Sequence, residues 1–191
     1  EKERFKPQLS VTPSGKKLLD FGQNIAGYVE FEINAREGQK ITLEFGELLR
    51  GGELTLENIQ CKNKHKTTPL QRVEYICKAG KNHYKTKFAI FGFQYVSIDT
   101  DIDIAPENFT AIAVYSDMDE TGYFNSSNEL LNKFVEATKW SAKGNSTDLP
   151  TDCPTRERHG WTGDAQIFCK TASYLFDYAP FAEKFVRDMC D

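Results

Sequence analysis

The spacing of the apolar residues changes near residue 117, and this change constrains the fold more than any other feature of the chain. Before it, apolar and polar residues alternate, as in residues 28–33, where Val29, Phe31 and Ile33 fall on one face. After it, apolar residues recur every three or four positions. Alternation with a period of two is typical of strands with one buried face, and the longer spacing is typical of amphipathic helices. The sequence therefore predicts a β part followed by an α part.

The β part repeats its alternating pattern several times, in residues 40–45, 73–77 and 88–98. Glycine-containing turn signals separate these runs at residues 36–38, 51–52 and 79–82. Short strands joined by regular turns, with no helical segment between them, are typical of an antiparallel β-sandwich. We expect such a sandwich over residues 8–116.

The α part predicts three helices. The first has Ser127 or Asn128 as its cap and ends near Gly144. The second begins near Asp164, and the third has Pro180 in its first turn and continues to the end of the sequence. The side chains expected to face inward are Leu130, Leu131, Phe134, Val135 and Thr138, then Ile167, Phe168, Ala172 and Leu175, then Phe181, Phe185, Val186 and Met189.

Three amphipathic helices do not complete a helical domain, because their apolar faces have too few partners. Residues 117–191 are therefore expected to be the opening of a larger helical domain. Apolar surface left exposed in this way predicts self-association. The sequence begins with Glu1 rather than Met and shows no signal peptide, so we expect a processed chain or a segment of a longer one.

Composition excludes several classes of partner. The net charge is −4 and the basic residues are scattered, which argues against nucleic acid, although residues 61–66 are locally basic and form either a solvated loop or an anion site. No stretch approaches the roughly 18 apolar residues of a membrane span.

The chain has neither a Cys-x-x-Cys nor a His-x-x-x-His pair, so no metal site is expected. Its five widely spaced cysteines suit reduced, mostly buried thiols.

The segment from residue 152 to 164 carries the densest chemistry. It contains three carboxylates, two arginines and a tryptophan between Pro and Gly residues. Carboxylates can transfer protons and bind hydroxyls, and a flat indole can cover the apolar face of a pyranose, so this set suits sugar hydrolysis. Two plainer readings stay open: Asp164 as a helix cap, and Glu157 as half of a surface ion pair with an arginine.

Residues 151–166 resemble the signature of the α-L-rhamnosidases of glycoside hydrolase family 78. Residues 19–24, 27–29 and 88–96 resemble the family's concanavalin-like β-sandwich. Residues 113–118 and 127–132 resemble its junction into the (α/α)6 barrel. The resemblance implies a concanavalin-like, jelly-roll sandwich over residues 8–116, followed over residues 117–191 by the first helices of an incomplete (α/α)6 barrel.

The resemblance also implies roles for individual residues. Glu157 would be the general acid, Asp152 and Asp164 would bind rhamnose hydroxyls, and Trp161 would line the sugar pocket. Arg156 would contact the sugar or orient a carboxylate. A general acid must keep its proton at the working pH, which Asp152 and Asp164 can favour by their charge and Trp161 by burial. The implied activity is cofactor-free, inverting removal of terminal α-L-rhamnose from glycosides or polysaccharides.

The sequence departs from the family pattern in three ways. Many members have Asp-Glu where this chain has Glu157 alone, and His159 replaces a frequent Leu. The family's catalytic base, a glutamate much farther along, has no counterpart in these 191 residues, so we expect little activity from the chain alone.

A non-catalytic carbohydrate-binding or structural module is the alternative to an enzyme. In that case Tyr28, Tyr95 or Tyr115 would be exposed and bind glycan, unless they form part of the sandwich core. The compartment stays open: the resemblance favours the periplasm or secretion over the cytoplasm, whereas the unpaired cysteines favour a reducing compartment.

Overall fold

The computed structural model describes residues 1–60 and 71–190. The chain divides into two compact units, Glu1–Val114 and Tyr115–Asp191. The domain limits of 8–116 and 117–191 stay predictions. The basic segment at residues 61–66, including Cys61, lies outside the described residues.

The first unit is an antiparallel β structure, as predicted. Eight strands pair in the order β1-β10-β3-β9-β4-β7, with β2 and β8 also pairing with β3, and β5 pairs separately with β6. The strands are β1 (Arg4–Phe5), β2 (Gln8–Val11), β3 (Lys17–Ala35), β4 (Lys40–Gly46), β5 (Leu48–Arg50), β6 (Glu53–Thr55), β7 (Arg72–Ile76), β8 (Gly80–Tyr84), β9 (Phe91–Thr100) and β10 (Phe109–Ala113).

The long strand β3 organises this unit, because it changes partners along its 19 residues. Its first part pairs with β2 and β9, and its second part pairs with β10 and then β8. Gly27 marks the crossing between partners: a Cβ atom there would lie 1.9 Å from the carbonyl oxygen of Ile112 on β10. Only glycine permits that approach, which explains its place inside an otherwise apolar strand.

The predicted alternation is confirmed in residues 28–33 of β3, but not along β9, where Phe91, Gly92 and Phe93 are all buried, nor at Phe88, which is exposed and precedes that strand. In β3, Val29, Phe31 and Ile33 are buried, whereas the intervening Glu30 and Glu32 are not. Aromatic rings fill the centre of the unit, with the rings of Phe45 and Phe91 stacked at 4.4 Å and those of Phe45 and Phe93 edge to face at 5.0 Å.

The turn predicted at residues 79–82 is wrong after its first residue, Ala79. Gly80 begins strand β8, which continues to Tyr84. The reason is the buried side chain of Asn82, which accepts a hydrogen bond from the N–H of Lys78 (3.0 Å) and donates to the carbonyls of Lys78 and Gly80 (both 2.9 Å). The amide closes the turn between β7 and β8 from within the strand, so a residue type that often signals a turn is part of the ladder of β8 with β3.

The second unit contains three helices, α1 (Glu129–Gly144), α2 (Thr162–Leu175) and α3 (Ala179–Asp188). The cap of α1 is Asn128, whose side chain accepts from the N–H groups of Leu130 and Leu131 at 2.9 and 3.3 Å. Pro180 lies in the first turn of α3, as predicted. The prediction that α3 continues to the end of the sequence is wrong: it ends at Asp188, where the N–H of Cys190 bonds to the carbonyl of Arg187.

The predicted inward faces are only partly correct. A small core joins the helices through Met118, Ala142, Ala172, Phe176, Tyr178 and Phe181. The expected core residues that are instead exposed are Leu130, Leu131, Phe134, Ile167, Val186 and Met189. The buried residues of α1 are Lys139, Ala142 and Lys143, because its apolar stripe has no partner among the described residues. The prediction of mostly buried thiols is also wrong for Cys169 and Cys190, which are exposed.

Candidate active site

The loop between α1 and α2 is folded back on itself at Asp152 and His159. The N–H of Asp152 donates to the carbonyl of His159 at 3.1 Å, and the N–H of His159 donates to Oδ1 of Asp152 at 2.9 Å. Nearer α1, the N–H of Thr151 bonds to the carbonyl of Asn145 at 2.9 Å. Pro150 and Pro154 exclude a continuous helix here. Residues 152–159 therefore form a closed turn with fixed ends.

The interior of this turn is held by contacts to sulfur and to a buried backbone. The N–H of Glu157 donates to Sγ of Cys153 at 3.2 Å, and Nε of Arg158 donates to the carbonyl of Thr155 at 2.9 Å. Arg158 adopts the left-handed conformation with φ of 57°, which is uncommon for a residue with a side chain. This strained conformation turns the chain immediately after Glu157, and such strain is often found at functional sites.

The carboxylate of Glu157 lies between a guanidinium and an indole. Its Oε1 accepts from Nη2 of Arg156 at 3.1 Å, and its Oε2 accepts from Nε1 of Trp161 at 3.0 Å. The indole is 52% exposed and meets the ring of His159 edge to face at 6.0 Å. Arg156, Glu157 and Trp161 thus form one cluster with an open aromatic surface. The surface ion pair considered from the sequence exists, but an exposed aromatic ring completes it.

The two aspartates line a shared cavity. The cavity has a volume of about 270 Å³ and lies between α1, the loop and α2, with Asp152, Asp164 and Tyr178 in its wall. Burial disfavours the charged form of Asp152. Hydrogen bonds from the Cys153 thiol and from backbone N–H groups, including that of His159, outweigh burial, so the pKa of Asp152 is lowered. Asp152 is therefore an ionised acceptor, the form that suits binding of hydroxyl groups.

Asp164 is not a helix cap. Trp161 occupies the cap position of α2 without a side-chain cap bond, and Asp164 lies inside the first helical turn. A carboxylate there is stabilised by the positive end of the helix dipole. Its exposed side chain is therefore available to a ligand.

Two sets of contacts in the second unit were missed from the sequence. Cys153 contacts both Asp152 and Glu157, and its place between those two residues was the available signal. On α1, Lys139 and Lys143 are buried and both donate to the carboxylate of Glu120. Their spacing of four residues on an otherwise ordinary helix gave little indication of burial.

Glycan binding by the sandwich would require exposed aromatic side chains, and the three tyrosines proposed for that role are not exposed. Tyr28 is buried and its hydroxyl donates to the carboxylate of Glu1, while Tyr95 and Tyr115 are half-buried. Among residues 1–60 and 71–190, no group of His, Cys, Asp and Glu is arranged to hold a metal ion. Within the same residues, no helix is long and apolar enough to span a bilayer.

Comparison with known proteins agrees with this architecture. The family model of the bacterial alpha-L-rhamnosidase concanavalin-like domain matches residues 10–115, and that of the bacterial alpha-L-rhamnosidase 6 hairpin glycosidase domain matches residues 119–191. An alpha-L-rhamnosidase of Formosa agariphila is 36% identical over 182 residues, covering 92% of this chain and 18% of the relative.

Solved structures show the same likeness. The rhamnosidase of Aspergillus terreus superimposes with a TM-score of 0.88 at 34% identity, covering 97% of this chain and 21% of that one. The Streptomyces avermitilis alpha-L-rhamnosidase complexed with L-rhamnose gives 0.89 at 27% identity, covering 98% and 18%.

The fold and the matches define a class in which a concanavalin-like β-sandwich precedes helices of a six-hairpin glycosidase domain. Within that class, the chain belongs to the bacterial alpha-L-rhamnosidase family. The resemblance seen in the sequence is thereby confirmed. The chain spans about 18% of the length of the curated relatives it matches.

Proposed function

We propose that this chain is part of a glycoside hydrolase that removes terminal α-L-rhamnose from glycosides or polysaccharides, with Glu157 as the general acid. The observation that carries this proposal is the carboxylate of Glu157, bonded to Arg156 and to the exposed indole of Trp161. The family membership supplies the sugar, since the relatives carry the name alpha-L-rhamnosidase and one was solved with L-rhamnose.

The contacts suggest how each side chain acts. The exposed ring of Trp161 offers a flat apolar surface to the pyranose, and the carboxylates of Asp152 and Asp164 accept hydrogen bonds from its hydroxyls. Nη2 of Arg156 pairs with Oε1 of Glu157 at 3.1 Å and so occupies one oxygen of the proposed acid. We infer that the bound sugar takes over Arg156, which frees Glu157 to protonate the glycosidic oxygen.

Inversion requires a second carboxylate about 6.5–9.5 Å from the acid to activate water. The candidates nearest in sequence are already engaged: Asp152 accepts the N–H of His159, and both aspartates are assigned to hydroxyl binding. We therefore propose that the base comes from outside these 191 residues. Since general acid or base assistance contributes about 10²–10⁴-fold, the chain alone should have little activity.

The test measures release of p-nitrophenol from p-nitrophenyl α-L-rhamnoside. For the whole protein, Glu157→Gln should lower kcat by about 10²–10⁴-fold, and by more on a rhamnoside with a poor leaving group, because such a group depends more on acid assistance. The 191-residue chain should show no turnover above that of its own Glu157→Gln variant. Glu183→Gln is the matched control, since Glu183 is an exposed glutamate paired with Arg187 on α3.

Two results would contradict the proposal. Equal turnover by the whole protein and its Glu157→Gln variant would exclude Glu157 as the acid. Proton NMR of the first product tests the stereochemistry: β-L-rhamnose is expected from inversion, and initial release of the α-anomer would show retention. A separate carbohydrate-binding module in the sandwich is not favoured, because Tyr28 is buried and committed to Glu1.

We further propose that the chain self-associates through its second unit. The exposed apolar side chains of that unit include Leu130, Phe134 and Ile167, at 75%, 67% and 82% exposure. Exposed apolar surface of this kind is covered in folded proteins by other polypeptide, which in a solution of this chain alone is a second copy.

A further inference from the structure

Cys153 stands between the two acidic residues of the loop and contacts both. Its sulfur accepts the N–H of Glu157 at 3.2 Å. Burial raises the pKa of Asp152, and the side chain of Cys153 is foremost among the neighbouring groups that outweigh it and lower this pKa. The side chain is half-buried and unbridged, so it is available for both contacts.

We propose that Cys153 is a positioning residue that holds the main chain of Glu157 beside Asp152, by accepting the N–H of Glu157 on its sulfur. The contacts themselves are features of this chain. Their value for catalysis rests on the proposed function, in which Asp152 binds the sugar and Glu157 donates the proton.

The other contacts of the turn do not hold the main chain of Glu157 in place. Its ends are joined at Asp152 and His159, and Arg158 is held in the left-handed conformation with its guanidinium bonded to Thr155. These contacts fix the end of the turn and its reversal, but none of them reaches the main chain of Glu157. The thiol supplies that contact, and it is small enough to lie inside the turn.

The chemistry of the side chain makes two substitutions informative. Cys153→Ala removes both the donor and the acceptor. Cys153→Ser keeps both in a shorter and more polar group. Loss at the first and recovery at the second would separate hydrogen bonding from mere filling of space. Cys169→Ala is the matched control, because Cys169 is an exposed free thiol on α2.

The test is NMR on the 191-residue chain and these variants. In Cys153→Ala, the carboxyl carbon of Asp152 should titrate at higher pH than in the wild type, and the amide of Glu157 should exchange about two- to tenfold faster. Cys153→Ser should restore both values in part, and Cys169→Ala should change neither. Amide signals of α1 and α3 report whether each variant is folded.

Unchanged titration of Asp152 and unchanged exchange of Glu157 in a folded Cys153→Ala would overturn the proposal. If that variant does not fold, the wild type decides: a Glu157 amide that exchanges at the intrinsic rate has no acceptor, and the proposal falls. Titration of the whole protein and its Trp161→Ala variant with L-rhamnose tests the proposed function separately. Expected responses at Asp152 and Glu157 without any effect of the sugar would confirm the positioning contacts and contradict the sugar site.

Discussion

At the scale of single residues, the group formed by Glu120, Lys139 and Lys143 is the strongest electrostatic feature of the second unit. The side chains of the two lysines are 7% and 9% exposed, and their ammonium groups lie 2.9 and 2.8 Å from the carboxylate of Glu120. The ammonium of Lys143 also lies over the ring of Trp140 at 4.6 Å. The hydrogen bond from Lys143, followed by that from Lys139, lowers the pKa of Glu120 against burial. Glu120 therefore contributes to the free energy of unfolding in a way that depends on pH.

Glu120→Gln should lower the free energy of unfolding at pH 7 by about 1–3 kcal/mol, because two buried lysines lose a charged acceptor. The folded pKa of Glu120 lies below the unfolded one, so its contribution is present at neutral pH and is lost as the pH falls through the folded pKa. Tryptophan fluorescence during urea unfolding reports the second unit, since Trp140 and Trp161 both lie there. Glu136→Gln, at an exposed partner of Lys139, should have little effect. A deficit that stayed constant down to acid pH would contradict the assignment.

Gly122 is a second residue with a sharp steric requirement. Its N–H bonds to the carbonyl of Leu175 at 3.0 Å, and a Cβ atom would lie 1.8 Å from the backbone oxygen of Tyr174. Gly122→Ala should cost about 2 kcal/mol or more, because backbone rather than a flexible side chain must move. Gly163→Ala, in the first turn of α2 with nothing within 4 Å of the new Cβ, should be neutral or stabilise by up to about 1 kcal/mol. Similar urea midpoints for the two variants would count against this packing.

At the scale of elements, the strands were predictable from the sequence and the helix faces were not. The alternation of Val29, Phe31 and Ile33 determines which face is buried, because a strand has only two faces. The spacing on α1 predicts the helix and its bounds, but burial of its stripe needs a partner, and Phe134 is exposed among the described residues. The period of an apolar pattern can be read from neighbouring residues, whereas the element that packs on a helix face lies elsewhere in the chain.

The cap of α1 gives a prediction for an element. The sequence left Ser127 and Asn128 as alternatives, and the structure assigns the bonds to the side-chain oxygen Oδ1 of Asn128. Asn128→Ala should destabilise the second unit by about 1 kcal/mol, because two N–H groups at the start of the helix lose their acceptor. Asn128→Asp should retain the stability, and Ser127→Ala should leave it unchanged. The measurement is urea unfolding followed by tryptophan fluorescence; equal losses from Ser127→Ala and Asn128→Ala would contradict the assigned cap.

At the scale of the whole molecule, the candidate site shows where sequence reasoning ends. The motif brings Arg156, Glu157 and Trp161 together because they lie within six consecutive residues, and that much follows from the sequence. The shared cavity of Asp152 and Asp164 depends on how α2 packs against α1, which no spacing encodes. Arg158 adopts the left-handed conformation, which its residue type does not predict.

The exposed helix faces carry the last prediction, which concerns the state of the chain in solution. If Leu130, Phe134 and Ile167 drive self-association, the sedimentation coefficient of the wild type should rise with concentration. The variant Leu130→Lys, Phe134→Glu, Ile167→Lys should then sediment as a monomer, because charged groups cannot be buried in the contact without a large desolvation cost. Helix content should be unchanged, since all three positions are exposed.

A control with Lys133→Glu and Lys170→Glu alters exposed charges on α1 and α2 and should associate as the wild type does. A wild type that stays monomeric at all soluble concentrations would show that this surface does not recognise itself, and copies of the chain would then not be its partner.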